Sequence, residues 1–188
     1  MGNTASNVSA GKPSVEGAIY VAPKGTSLPE STADSLNAAF ACLGYCSDAG
    51  LTNSTNLETE TIKAWGGDTV LTIQKSKDDT FKFTLLEVLN VDVLKFVYGS
   101  SNVSGDLTNG ITVKSNNADV DEVAIVIDMI MRDNTSKRIV IPDCKVSDFG
   151  DVVYSDSEAV GYETTVTCMP DTDGNYHYEY LLKGSTSG

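Results

Sequence analysis

Apolar and polar residues alternate with a period of two over much of this chain, the signature of half-buried β-strands. In residues 122–132, Val123, Ile125, Ile127, Met129 and Met131 share one face. Residues 80–88 likewise set Phe81, Phe83 and Leu85 on one side. Shorter strands are expected at 17–22, ended by Pro23, at 137–141, stopped by Pro142, and at 144–149. Residues 159–169 and 176–182 flank Pro170-Asp171-Thr172-Asp173-Gly174 and predict a terminal hairpin.

The stretch from Ser54 to Gly99 organises the rest. Residues 55–63 (T-N-L-E-T-E-T-I-K) are polar on both faces and offer little to a core. A turn at Ala64-Trp65-Gly66-Gly67-Asp68 leads into a returning arm at 69–75, and Lys77-Asp78-Asp79 reads as a second turn. Arms of about 8 residues at ~3.3 Å each span roughly 25 Å, enough to project from a small domain with backbone edges unpaired. Such edges must be covered, blunted or paired with another chain. After the hairpin, Asn90 caps a helix over 91–98 with Asp92 in its first turn, Gly99 beyond its end and an apolar stripe of Val91, Leu94, Val97 and Tyr98. A second short helix is expected around Leu36, Ala39, Phe40 and Leu43, with Gly44 after it. Residues 45–54 read as a loop turning at Asp48-Ala49-Gly50, and Asn109-Gly110 as a tight turn. The fold class is therefore mainly β: a β-sandwich or barrel with one packed α-helix and a long projecting hairpin.

Composition sharpens this picture. The chain has 188 residues, 40% of them hydrophobic, which suits one domain with a real core. Residues 1–16 form a flexible, Asn/Ser/Gly-rich arm, 17–183 the folded domain and 184–188 a flexible tail. The net charge of −13 opposes tight binding to nucleic acid or to an anionic membrane, since phosphate binding rests on Lys and Arg. No apolar run approaches the ~18 residues of a spanning helix. Met1-Gly2-Asn3-Thr4-Ala5-Ser6 fits a myristoylation pattern, but no polybasic partner follows, so no membrane role is expected.

Candidate chemistry is sparse. Cys42, Cys46, Cys144 and Cys168 lack zinc-site spacing and read as buried free thiols. The single histidine, His177, alternates with Tyr176, Tyr178 and Tyr180, which places it beside Glu179 on a strand surface, not as a general base. Asp171-Thr172-Asp173-Gly174 resembles a calcium loop, but its glycine comes two residues early and no Glu follows at the twelfth position. Asp78 and Asp79, like Asp119, Asp121 and Glu122, read as solvated acids at strand ends. No catalytic, metal or cofactor site is expected, and the protein reads as a non-enzyme. Trp65, the only tryptophan, is either an exposed contact anchor or folded back on its own domain.

Several runs together resemble a known family. They are Leu43-Gly44-Tyr45, Asp48-Ala49-Gly50-Leu51-Thr52, Ile62-Lys63-Ala64-Trp65-Gly66-Gly67-Asp68 and Phe81-Lys82-Phe83-Thr84-Leu85-Leu86-Glu87, then Val93-Leu94-Lys95 and Tyr98-Gly99. Lys137-Arg138-Ile139-Val140-Ile141-Pro142, Val146-Ser147, Gly150-Asp151-Val152 and Gly161-Tyr162-Glu163-Thr164 follow in matching order. The ordered set, from about Gly17 to Leu182, resembles the tail tube protein (major tail protein) of long-tailed, non-contractile phages. The resemblance implies a virion protein assembled in the bacterial host cytoplasm. Its copies would form hexameric rings whose sheets join into an inner β-barrel, stacked into a tube for DNA delivery. Tape measure, tail terminator and distal tail proteins are the implied partners, and genomic DNA passes through the lumen without specific binding. On this reading Glu58 and Glu60 face the lumen, while Trp65, Gly66, Gly67, Asp68, Lys77 and Asp78 serve assembly or inter-ring contact. Residues 64–79 and 1–15 would be mobile in a free monomer. The rival readings are another virion β-sandwich (tail terminator or capsid decoration protein) and a secreted Ig-like carbohydrate-binding module using Tyr176, Tyr178 and Tyr180.

Overall fold

A computed structural model describes residues 2–14 and 17–184. Of the tail expected at 184–188, residues 185–188 lie outside the described residues, as do Met1, Val15 and Glu16 of the arm. The strands are β1 (Lys12–Pro13), β2 (Ile19–Pro23), β3 (Ala41–Cys42), β4 (Cys46–Lys63) and β5 (Thr69–Leu85). Helix α1 (Val91–Tyr98) precedes β6 (Val103–Asp106), β7 (Gly110–Val113), β8 (Glu122–Ile130), β9 (Thr135–Phe149), β10 (Tyr162–Cys168) and β11 (Tyr178–Lys183). One antiparallel sheet runs β3-β2-β8-β9-β10-β5-β4, with β1 added to β8 and β11 to β9, while β6 and β7 pair alone. The architecture is mainly β with one helix, as the hydrophobic pattern predicts.

The sheet curves so that Ile19, Ile125, Ile127, Ile139 and Ile141 from one half meet Phe81, Phe83, Leu85, Tyr162 and Val166 from the other. Helix α1 closes this core with Val93, Leu94, Phe96 and Val97, and Phe96 stacks on Phe83. Its limits are those the sequence predicts, and the Asn90 side chain accepts from the Asp92 N–H at 3.0 Å. In β8, Ala124 and Val126 are buried as well as Val123, Ile125 and Ile127, so this strand is covered on both faces. Arg138 helps hold that cover. Its guanidinium grips Asp128 at 2.7 and 2.9 Å and donates to the carbonyls of Ser31 and Asp34.

Four expectations are corrected. Residues 36–43 form no helix: the Asn37 side chain accepts the Ala39 N–H and Phe40 bonds back to Asn37, a local turn that outcompetes a helix too short to nucleate. Gly44 serves instead at a φ of +73° that side chains disfavour, and a Cβ there would also displace the Glu87 carboxylate that accepts the Tyr45 N–H. Residues 46–54 belong to β4, with residues 47–50 looping out where its register jumps from Cys46↔Leu85 to Leu51↔Phe83. Pro142 does not stop a strand. It lies within β9, where Val123↔Cys144 and Ile125↔Ile141 leave Ala124 opposite two residues, and such a bulge tolerates a missing N–H.

The fourth correction is the terminal hairpin. Strand β10 pairs with residues 144–149 of β9 and β11 with residues 135–140, both opposite the edge that β8 occupies. Strand β11 therefore prolongs β10 in the same direction. The intervening residues 169–177 make an excursion whose turn is tied by the Asp171 side chain to the N–H groups of Asp173 and Asn175.

Candidate assembly surface: the projecting hairpin

Strands β4 and β5 leave the core together. Every residue from 52 to 75 is exposed, although the pairing runs out to Lys63↔Thr69. The strands hold there because Thr and Ile suit extended backbone and because the ladder between β4 and β5 continues, through two bulges, as far as Lys63↔Thr69. At the tip the Ala64 N–H bonds the Asp68 carbonyl at 2.7 Å, and Gly66 and Gly67 adopt φ of +115° and +102° that side chains disfavour. Trp65 stands fully exposed on this turn, which settles its two readings in favour of exposure.

Lys77-Asp78-Asp79 is no turn: it lies inside the continuous strand β5, where Lys77 pairs with Leu57 and Asp78 with Asn56. Of the six residues expected to act together, Trp65, Gly66, Gly67 and Asp68 therefore cluster at the tip. Lys77 and Asp78 sit far back towards the core, Lys77 with its ammonium 5.1 Å from the Tyr176 ring centre.

Two bulges decide the faces of the ribbon. Between Glu58↔Ser76 and Thr59↔Gln74, Lys75 is the extra residue of β5, and between Ile62↔Leu71 and Lys63↔Thr69 it is Val70. Directly opposed residues share a face. Near the core the inward face of β5 carries Asp79, Phe81, Phe83 and Leu85. Past Lys75 the parity inverts, so Leu71 and Ile73 join Ile62, Glu60 and Glu58 on the opposite, outward face. Leu71, Ile73 and Ile62 remain about half exposed there, at 51%, 43% and 44%. Glu60 bridges to Lys75 at 3.0 Å, and Glu58 accepts from the Ser76 hydroxyl at 3.3 Å. The other face is a field of hydroxyls and amides from Thr59, Thr61, Thr72 and Gln74.

Both long edges of the ribbon are open. Strand β10 covers β5 only along Thr80–Leu85, and among the described residues no strand pairs with the outer edge of β4.

The root of the ribbon contains what the sequence pattern missed. Asp79 is completely buried, accepting from Asn53 at 2.7 Å and Thr55 at 3.2 Å, with His177 Nδ1 at 2.6 Å. His177 packs edge-on against Phe81. The expectation of a surface histidine beside Glu179 and of a solvated Asp79 is thus corrected. The excursion between β10 and β11 drops His177 onto β5 just where β10 ceases to cover it. Parity was the available signal, since Asp79 shares the phase of Phe81, Phe83 and Leu85. Among the described residues no cluster of His, Cys, Asp and Glu could hold a metal ion, and no helix is long and apolar enough to cross a membrane.

A family model described as phage tail tube protein matches residues 2–187, nearly the whole chain. The chain belongs to the phage tail tube protein family. The tail tube protein is a structural component of the virion, not an enzyme. Among solved structures, it is similar to the tube-terminating cap of an anti-feeding prophage determined by cryo-EM. That similarity has 8% identity and a TM-score of 0.45, and covers 97% of this chain and 100% of that one. No curated protein matches this chain.

Proposed function

We propose that this tail tube protein closes into rings, hexameric and stacked as in the non-contractile phage tails it resembles, to make a conduit for DNA. The observation that carries the reading is the ribbon with two open edges. The outer edge of β4 in one copy faces the same kind of unpaired backbone on residues 69–79 of β5 in the next. Such a contact is head-to-tail, and it leaves no ribbon edge open only when the ring closes. A strand polar on both faces is costly against a dry core but natural in the wall of a water-filled bore.

Glu58 and Glu60 share the ribbon face that points away from the core, which suits the lumen. Duplex DNA carries about one charge per 1.7 Å, so an acidic lining repels it and keeps it moving. The Trp65–Asp68 tip, at the far end of the ribbon, would touch the neighbouring ring, and Lys77 and Asp78 the adjacent copy within a ring. Tape measure, terminator and distal tail proteins would bound the tube at its bore and ends.

Negative-stain microscopy of the purified chain at high concentration tests the assembly. Long hollow tubes or stacked rings are expected, and a compact monomer at millimolar concentration overturns it. Charge reversal at Glu58 and Glu60 is expected to leave tubes intact and slow DNA ejection; unchanged ejection removes these residues from the lumen.

A further inference from the structure

Two of the cysteines stand side by side in the sheet. Cys144 of β9 and Cys168 of β10 are direct cross-strand partners, 0% and 3% exposed. The Met169 N–H donates to the Asp143 carbonyl at 2.9 Å, which makes those two opposed residues a hydrogen-bonded pair. One step along the antiparallel ladder, Cys144 and Cys168 therefore occupy a non-hydrogen-bonded position. There the Cα atoms lie about 4.5 Å apart and both side chains share a face. Disulfides span Cα separations of about 4.4–6.8 Å, so this position is within reach of a bond without moving the backbone. The other two cysteines have no such relation: Cys42 pairs with Tyr20 and Cys46 with Leu85.

We infer that Cys144 and Cys168 are the site of a cross-strand disulfide, formed by a peroxide after the protein leaves the reducing cytosol of its host. In the first step a Cys168 sulfur attacks the peroxide, taking one oxygen as sulfenic acid and releasing one water. The Cys144 sulfur then displaces that hydroxyl as a second water, and the S–S bond forms. Both sulfurs are oxidised, the peroxide is reduced, and the two thiol hydrogens leave in the waters. Cys168 acts first because it ends β10 beside the exposed turn at 171–174, whereas Cys144 lies deep in the sheet with its S–H on the Val123 carbonyl at 3.4 Å. Cys144 must release that carbonyl and rotate towards Cys168.

Burial makes the reaction slow, which suits a modification acquired outside the cell. It pushes the Cys168 thiol up to about 12 and Cys144 well above the ordinary thiol range, so little thiolate is present at neutral pH. In the cytosol the reducing thiol pool keeps both reduced. Outside, the bond fastens β10 to β9 at the point where the chain departs to place His177 under the ribbon.

The test treats the purified full-length protein with dilute hydrogen peroxide, then denatures it in an alkylating reagent and maps the peptides without reduction. A linked peptide pair containing Cys144 and Cys168, with Cys42 and Cys46 alkylated, is expected. It should persist in the Cys42→Ser/Cys46→Ser variant and revert on adding a reductant. Four alkylated cysteines, a bond between Cys42 and Cys46, or sulfinic acid at Cys168 with no linked pair would each overturn the assignment.

Discussion

Phe83 and Ile73 lie in the same strand, both facing a β-partner, yet one is 2% exposed and the other 43%. The inner half of β5 has a neighbour on each edge and the core beneath it. Its outer half has β4 on one edge and, among the described residues, nothing on the other. The contrast teaches that the two halves answer to different requirements. The inner half must bury apolar area within its own chain, whereas the outer half carries surface that is idle in the free subunit. Side chains such as Ile62, Leu71 and Ile73 contribute little to folding there, and the unpaired backbone of the outer half becomes useful only when another copy pairs with it.

The largest expected effect breaks the inner half. Phe83→Ala removes a ring that packs on Phe96 in the core, and chemical denaturation should show a loss of about 3–5 kcal/mol. Next comes the root of the ribbon. His177→Ala strips a partner from the buried Asp79 carboxylate, and the same measurement should register a loss of about 1–3 kcal/mol. Hydrogen exchange in that variant should quicken around residues 53–55 and 79–81 more than in β8, since the clasp joins the ribbon to the C-terminal excursion.

A smaller effect concerns the excursion turn. The Tyr178 hydroxyl, followed by backbone N–H donors, holds the Asp171 carboxyl below the usual carboxylate range. A carboxyl depressed by folding contributes stability that is complete above its unfolded pKa, about 3.9, and is lost as pH falls through its lower folded value. Thermal melts should therefore fall more steeply below about pH 4 in the wild type than in Asp171→Asn. The smallest effect on the folded subunit is expected in the outer ribbon. Leu71→Asp with Ile73→Asp should change the unfolding free energy by no more than about 0.5 kcal/mol, as ordinary surface substitutions do. Trp65→Ala at the fully exposed tip should be equally harmless to the monomer, yet give no tubes under the microscope. A variant that unfolds the monomer, or one that assembles normally, would erase the distinction between the two halves.

Much of this was legible in the chain itself. The helix over Val91–Tyr98 was readable because its cap, first-turn acid, apolar stripe and terminal glycine are all local signals. The inward phase of Phe81, Phe83 and Leu85 was readable for the same reason, as was the polarity of residues 55–63. The misreadings share a cause. Lys77-Asp78-Asp79 has turn-like composition, but cross-strand bonds to residues 55–57 keep it extended. Pro142 looks like a stop, and only the extra residue opposite Ala124 lets β9 pass through it.

Local periodicity determined the strands that carry the core, the helix over Val91–Tyr98 and the fact that one hairpin is too polar to belong to a core, because these follow from neighbours in sequence. Which face each ribbon residue takes was decided by the bulge at Lys75, a property of register that one strand alone does not contain. The meeting of Asp79 with His177, and of Cys144 with Cys168, was decided by β10 and β11 lying end to end along β9. Contacts between residues so distant in sequence depend on how the sheet closes, and the side-chain pattern of either partner is equally compatible with several closures.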